Sequence, residues 1–526
     1  MASHADERRR IRTRLSRERV IQPAREHAPV VLTYPSPYRV GMSSLGFLTL
    51  HRQLNAEGPG AHRAFLPDHW ERQALAWPAH GGPLVSYESQ RPISCYRVIA
   101  LSVAYELEVV GVIRLLEGSG LPLLASERGP RDPIVVAGGP LTNSNASVLL
   151  PFVDLLVCGE GEDVLPAVLA CVDAQPRRDE AIDTACRLPH VLRGAVPRGV
   201  HDIDLPELAR VGSERLPAHA GIITPDTELS DMFLVEPERG CSRRCTFCVM
   251  RGETTGGMRM LDIEVPLGLV PDDAPKVGLV GAAVTDHPKL EELVARVVEE
   301  GRGIGISSLR ADRLTPTLMA NLARGGYRTI TVASDGISES MRRNLHRKIE
   351  EQDLISAAQL VSAHNFHRLK VYEMIGAPGE RDEDADELIR FVSELAKIAR
   401  ITLTFSTFVA KRNTPLDGAP FLGIQAAQQR LARIRAGLGG RVELRPQPPK
   451  WAYVEYELAQ RGPEAGYAAM DAVHAGGTFA DWKRSLAALG PNKRTICYGD
   501  EQATGRRKGR AAAPIRIRVD SHDASG

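Results

Sequence analysis

Apolar residues run along this chain in two alternating rhythms, short unbroken runs and helical spacing. VVLTY (30–34) has the length of a buried strand, and GMSSLGFLTLHRQLN (41–55) places Leu45, Leu48, His51 and Leu54 at helical spacing. VIALSVAY (98–105) predicts a second strand, and ELEVVGVIRLLEGSGL predicts a helix that stops at a glycine. PIVVAGGP (133–140) and VDLLVCGEGE (153–162) predict two more strands with glycines at their carboxyl ends. Such alternation predicts an α/β fold with a doubly wound parallel sheet over residues 28–190. Ligands in such sheets bind beyond the carboxyl ends of the strands, where these glycines lie.

The rhythm fades over residues 176–230, where Pro189, Pro197, Pro206, Pro217 and Pro225 accumulate; residues 191–230 read as a linker. It resumes at MFLVEPERG (232–240). KVGLVGAAV, GIGISSL, TITVAS, LKVYEMIGAPGE and ITLTFSTFV predict five further strands, separated by amphipathic helices such as HPKLEELVARVVEEG and DADELIRFVSELAKIA. Six strands are too few for a closed eight-stranded barrel and suit a curved, partial (β/α)6 barrel over 231–420. Residues 421–505 turn mostly helical and form a small carboxyl-terminal module. Its Trp451, Tyr453, Tyr456 and Trp482 could close over a substrate or fill a helix core. The two ends, 1–27 and 506–526, are basic and short of apolar residues, and are expected to be solvated, poorly ordered tails.

Composition narrows the class. Apolar residues make up 43% and charged residues 25% of the chain, and the net charge is +1. That is globular usage, with no whole-molecule field that demands nucleic acid or a membrane surface. No apolar run approaches the ~20 residues of a membrane span, and MASHADERRRIRTRLSRERV lacks the apolar core of a secretory signal. A cytoplasmic location follows, where thiols stay reduced. Cys95, Cys158, Cys171 and Cys186 are scattered and read as core or surface residues, with Cys497 unassigned.

Three of the eight cysteines stand together in GCSRRCTFC (240–248): Cys241, Cys245 and Cys248. Thiolates bind zinc or iron–sulfur clusters. A closed zinc site needs a fourth ligand, and no second Cys-x-x-Cys follows. A 4Fe–4S cluster held at three corners leaves one iron open, and the loop begins at the carboxyl end of a strand, where parallel barrels build sites. Zinc and incidental core cysteines remain as alternatives. Arg239, Arg243, Arg244 and Arg251 are placed to offset the charge of three thiolates.

CSRRCTFC resembles the CxxxCxxC signature of the radical S-adenosylmethionine (SAM) superfamily, including the aromatic residue before the last cysteine. The resemblance extends about 200 residues downstream. It implies a 4Fe–4S cluster on the three cysteines and SAM bound at the open iron, split reductively to a deoxyadenosyl radical. VGLVGAAVTDHP (277–288) resembles the strand that holds the SAM amino group, which implies Gly281 and Ala282. ISSLRAD (306–312) resembles the third strand, with Ser307 and Ser308. TVASDGISESMRR (331–343) resembles the fourth, which implies roles for Asp335 and Arg342, although the family's Pro-Glu is here Ser334-Asp335. KVYEMIGAPGE (370–380) resembles the motif beside the adenine, with Gly376. FVAKRNTP (408–415) resembles a Phe-x-Pro-Lys-x-x-Thr-Pro stretch, with Ala410 in place of proline.

The first block resembles the cobalamin-binding domain that precedes many radical SAM enzymes, in YPSPYRVGMSSLG, LSVAYELEVVGVIRLLEGSGLP, VVAGGPLTNSNA and CGEGEDVLP. It lacks the Asp-x-His-x-x-Gly motif that would coordinate cobalt, and Asp68-His69 has the wrong spacing. The resemblance implies cobalamin contacts at Ser102, Gly138, Gly139, Gly159 and Gly161. The implied activity is a cobalamin-dependent methyltransferase acting on an unactivated carbon of a small molecule or peptide. It would draw electrons from an external donor such as flavodoxin or ferredoxin. Cyclisation, coupling or rearrangement without methyl transfer is the second reading. A non-enzymatic corrinoid or redox sensor whose basic tails touch nucleic acid is the third; nucleic acid is otherwise not expected as a partner.

Overall fold

The computed structural model describes residues 4–492 apart from 69, 71–82 and 308. The first sheet has six strands in the order Ala61–Leu66, Val30–Pro37, Val98–Ser102, Ile134–Gly138, Leu155–Val157 and Val191–Arg193, all parallel except the last. Side chains alternate between its faces. Val30, Leu32, Val98, Ala100, Ile134 and Val136 join one buried cluster, and Val31, Ile99, Leu101, Val135 and Ala137 join another. Both faces are therefore covered, which is why these strands read as unbroken apolar runs. Strand order reverses between Val30–Pro37 and Val98–Ser102, which opens a crevice at their carboxyl ends.

The strand Ala61–Leu66 escapes the hydrophobic pattern because His62 and Arg63 interrupt it. Arg63 is 1% exposed. Its guanidinium donates twice to Glu18 at 2.8 Å and once to Glu88 at 2.6 Å, so the buried cation is neutralised on the spot. Glu18 also accepts from Tyr38 Oη at 2.6 Å. The amino-terminal segment is consequently not a loose tail: His4–Leu15 is a helix with Ile11 buried, and Arg14 donates to Tyr87 Oη and pairs with Asp68. The expectation of a solvated tail over 1–27 fails for residues 4–27. Residues 506–526, with Cys497, His69 and Ser308, lie outside the described residues.

The second half contains two parallel sheets. One runs Gly303–Ile306, Lys276–Leu279, Met232–Val235; the other runs Thr329–Ala333, Arg368–Ile375, Ile401–Thr407, Glu443–Pro446. Among the described residues, one bridge, from Leu309 to Val332, joins them. The strand Glu443–Pro446 was absent from the sequence pattern; its ELRP is polar on alternate positions and leaves Glu443 and Arg445 exposed. The outer faces carry Val277, Leu279, Ile330, Leu369, Val371 and Leu403, packed in the core with Leu293, Val297, Leu388 and Val392 of the intervening helices.

The carboxyl-terminal helices Pro449–Gln460, Pro463–His474 and Phe479–Ala487 pack back onto the first sheet. Val454, Leu458, Ala468 and Trp482 share a core with Val112, Leu116 and Val148. Asn145 Nδ2 donates to the carbonyls of Leu458, Ala459 and Arg461, and Tyr467 Oη donates to Val196 O. Lys411 Nζ joins Glu106 at 2.6 Å to Glu455 at 2.7 Å, a three-way contact between the two halves and these helices. Trp482 and Tyr456 serve as core, 1% and 6% exposed, and Trp451 and Tyr453 pack partly buried against it. No helix among the described residues is long and apolar enough to cross a membrane.

Candidate active site

The cysteine loop starts from a short antiparallel pairing, Glu238–Gly240 against Met258–Met260, that follows Met232–Val235. Local hydrogen bonds tie it down: Gly252 N to Arg243 O at 2.9 Å, Thr246 N to Leu345 O at 3.1 Å and Cys248 N to Cys245 O at 3.3 Å. Phe247 packs against the cluster of Met341, Leu345, Met374 and Phe408, so the aromatic residue before the last cysteine anchors the loop to the sheet. Cys241 and Cys245 are buried, and Cys248 is partly buried.

All three cysteines line one pocket of about 410 Å³, with Ala282, Ser307, Arg310, Asp335, Arg347 and Tyr372 around it. Among the described residues, no three His, Cys, Asp or Glu side chains converge on a single ion. The three thiols line one pocket wall, and thiolates are ligands for zinc and for iron–sulfur clusters alike. Burial raises the Cys241 thiol and pushes Cys248 up to about 11, so the protein alone favours neutral thiols and bound iron would favour thiolates.

The arginines of the motif are spent on carboxylates. Arg243 pairs with Asp286 at 2.6 Å, Arg251 with Glu253 at 2.8 Å, and Arg239 with Glu162 at 2.7 Å and Glu236 at 2.8 Å; only Arg244, 75% exposed, keeps a loose 3.7 Å pair with Glu253. Arg243 still lines the cysteine pocket, where Arg310 and Arg347, which periodicity and spacing did not single out, join it.

The structure brings Ala282, Ser307 and Asp335 to the cysteine pocket, while Gly281 faces the neighbouring cavity. Ser307 Oγ donates to Gly281 O at 3.0 Å, which couples the two strand ends. Asp335 has φ +63°, a left-handed conformation that aspartate tolerates better than most residues, and its carboxylate meets Arg347 Nε at 2.6 Å. Burial raises the Asp335 acid, and Arg347 and Arg310 oppose that shift. Arg342 is elsewhere: it is 2% exposed, donates to Ile349 O and Gly336 O, and does not line the pocket. Gly376 also lies off the lining, with its N–H on Glu380 Oε2 at 2.8 Å.

A second cavity of about 470 Å³ adjoins the first, sharing Met250 and Ala282 with it. It opens at the crevice of the first sheet and is lined by Ser102, Gly138, Gly139, Gly159 and Gly161, all five residues assigned to it by resemblance. Leu208, Ala209 and Arg210, from the segment read as a linker, form a wall, and Glu236, Glu238 and Arg239 face it from the second half. Two of the four glycines are required by protein packing. At Gly159 (φ +96°) a Cβ would lie 2.3 Å from Ala209 N, and at Gly139 (φ +105°) 2.7 Å from Val103 O. Gly161 would meet only Leu50, at 3.7 Å. Glu238 is fully buried, its Oε1 accepts from Ala283 N at 2.9 Å, its Oε2 has no partner, and burial pushes it up to about 7.

Comparison with known proteins agrees with the cysteine motif. Residues 46–192 match the model of the N-terminal region of radical SAM proteins, and residues 235–392 match that of the radical SAM superfamily. An uncharacterized protein of Methanocaldococcus jannaschii is 25% identical over 405 residues, covering 74% of this chain and 80% of its own. The dual-specificity RNA methyltransferase RlmN of Rhizorhabdus wittichii is 24% identical over 228 residues, 38% of this chain and 53% of its own. Among solved structures, the cobalamin-dependent S-adenosylmethionine radical enzyme OxsB with aqua-cobalamin bound gives a TM-score of 0.43 at 16% identity. That match covers 69% of this chain and 52% of the other, so the chain spans about half the length of that structure. The chain thus carries the domains of the radical SAM superfamily, an N-terminal radical SAM region over 46–192 and a radical SAM domain over 235–392 that contains Cys241, Cys245 and Cys248.

Proposed function

We propose that the protein is a cobalamin-dependent radical SAM enzyme that methylates an unactivated carbon. The observation that carries this reading is the junction of two cavities: the cysteine pocket and the crevice of the first sheet meet at Met250 and Ala282. A corrin in the crevice and SAM in the pocket would then face a common substrate. Cys241, Cys245 and Cys248 would hold a 4Fe–4S cluster. Gly281, Ala282, Ser307, Ser308 and Asp335 would hold SAM, with Arg347 in the part first given to Arg342, since it is Arg347 that reaches Asp335. Ser102, Gly138, Gly139, Gly159 and Gly161 would border the corrin. When bound, the cluster supplies the electron for reductive cleavage of SAM and cobalamin carries the methyl group.

The protein's own residues would position and shield. The carboxyl-terminal helices and the Lys411–Glu106–Glu455 contact fix the first sheet against the second half, which sets the distance between the cavities. Phe247 and the loop hydrogen bonds hold the thiols in place before any metal arrives.

The test is chromatography of protein reconstituted with iron and sulfide and incubated with SAM and reductant, alongside absorbance titration with hydroxocobalamin. Deoxyadenosine, S-adenosylhomocysteine and bound cobalamin are expected together. Deoxyadenosine without cobalamin binding refutes methyl transfer and leaves cyclisation, coupling or rearrangement. No SAM cleavage in protein that holds iron refutes the radical reading altogether.

A further inference from the structure

One face of the four-stranded sheet in the second half carries mostly polar residues over its first three rows. Register places Thr329 beside Arg368; Thr331 beside Lys370, Thr402 and Glu443; and Ala333 beside Tyr372, Thr404 and Arg445. Thr331, Ala333 and Tyr372 of this face line the cysteine pocket, and Lys370 reaches that wall through its 3.0 Å bond to Tyr372 Oη. The opposite face, with Ile330, Leu369, Val371 and Leu403, is packed in the core. The polar face is instead partly open along Thr329, Thr331, Arg368, Lys370 and Tyr372.

Its charge is unbalanced. Arg368, Lys370 and Arg445 stand against the single carboxylate of Glu443, which Arg368 and Arg445 share. Lys370 has no acidic partner among the described residues. Its ammonium donates to Tyr372 Oη at 3.0 Å and sits 4.6 Å from the centre of that ring. Tyr372 is 41% exposed, although its strand lies between two others. Thr404 Oγ1, in the same row, is buried without a partner.

We propose that this face is the substrate subsite, and that Lys370, with Arg445 and Tyr372, receives an anionic group of the substrate, a carboxylate or a phosphate. The inference rests on the cysteine pocket being the reaction chamber. An anion there would find an unpaired ammonium, a guanidinium and a phenol on one wall, the charge-assisted donors that such groups select. The substrate's reacting carbon would lie towards Tyr372 and the cysteines, and its anion towards Lys370. Specificity would follow from the penalty on a neutral analogue, which leaves the lysine without a counter-charge.

The test uses the full chain without cluster and an aldehyde probe that carries a phosphate. Pyridoxal 5′-phosphate condenses with a lysine amine with loss of water, and borohydride reduces the imine to a stable secondary amine that peptide mass spectrometry locates. Modification of Lys370 about tenfold faster by pyridoxal phosphate than by pyridoxal is expected, since with Lys370 taken up in the imine the phosphate keeps one ionic contact, to Arg445, worth about that factor. Protection by inorganic phosphate marks a phosphate subsite, and protection by citrate marks a carboxylate one. Arg445→Ala, at an exposed position, should reduce the preference for the phosphorylated probe. Equal modification by the two probes, or failure to protect with either anion, would overturn the proposal. So would an unmodified Lys370 in a sample where exposed Lys450 is labelled. None of these outcomes depends on iron or SAM, so failure here is distinct from failure to produce deoxyadenosine.

Discussion

The two glycines of CGEGE make opposite predictions. Gly159→Ala asks a residue with a Cβ to adopt φ +96°, which costs about 1–3 kcal/mol. The Cβ would also sit 2.3 Å from Ala209 N and 2.5 Å from Ala209 O, closer than any relaxed contact. Relief requires Leu208–Arg210 to move. That breaks the bonds from Ala209 N to Cys158 O at 2.9 Å and from Glu160 N to Ala209 O at 3.0 Å, each worth about 1 kcal/mol net. The total comes to ~3–5 kcal/mol. For a domain of this size that is a fall of about 10 °C in the thermal midpoint. Because Leu208, Ala209 and Arg210 wall the larger cavity, hydroxocobalamin binding should weaken with it. Gly161→Ala is the control. It begins the helix Gly161–Ala174, has ordinary φ and meets only Leu50, so alanine should be neutral or stabilising by up to ~1 kcal/mol. Differential scanning fluorimetry and absorbance titration of both variants read the outcome. Equal midpoints for the two substitutions would refute the packing account of Gly159. Normal corrin binding by a destabilised Gly159→Ala would refute the link between this wall and the cavity.

Two further predictions concern buried charge. Glu108, 5% exposed, is pushed up to about 7 by burial despite the N–H of Ala104 at 2.6 Å. A carboxyl whose folded pKa is raised gains a proton on folding. Wild-type stability should therefore fall as pH rises from about 4.5 through 7, by up to ~3 kcal/mol, while Glu108→Gln loses this component. Denaturation of both proteins at pH 5 and pH 8 checks it, and a stability difference that does not change between the two pH values would contradict it. Asp154 accepts from Arg178 at 2.6 Å, Arg128 at 3.2 Å and Val135 N at 2.8 Å, all in the interior. Asp154→Ala strands two buried guanidinium groups and should cost ~3–5 kcal/mol, seen as a lower denaturation midpoint or as loss of soluble protein.

The α/β class and the place of the cysteine loop were legible because both depend on local order. A strand buried on both faces must be an apolar run, and three thiols within eight positions are carried to one pocket wall by a single loop. The strand Ala61–Leu66 was not legible, because Arg63 is neutralised by Glu18 and Glu88, 45 and 25 residues distant. The amino-terminal helix was hidden for the same reason. Its arginines look like a solvated run until Asp68 and Tyr87 are brought to Arg14.

At the site, resemblance named Asp335 and Arg342, and only Asp335 reaches the pocket. The sequence shows cations seven and eight residues after the acid, and another at twelve. Which of them returns to the acid depends on the turn after Glu339–Asn344, where His346 and Lys348 take left-handed backbone and aim Arg347 inward. Local sequence alone determined most of the elements, the metal-binding residue types and the glycine-rich strand ends, since these follow from periodicity and spacing within a few residues. Only the tertiary structure decided which charges cancel, which glycines serve packing, and that the two cavities meet at Met250 and Ala282. Those are contacts between segments far apart in the chain, and no local pattern encodes the distance between them.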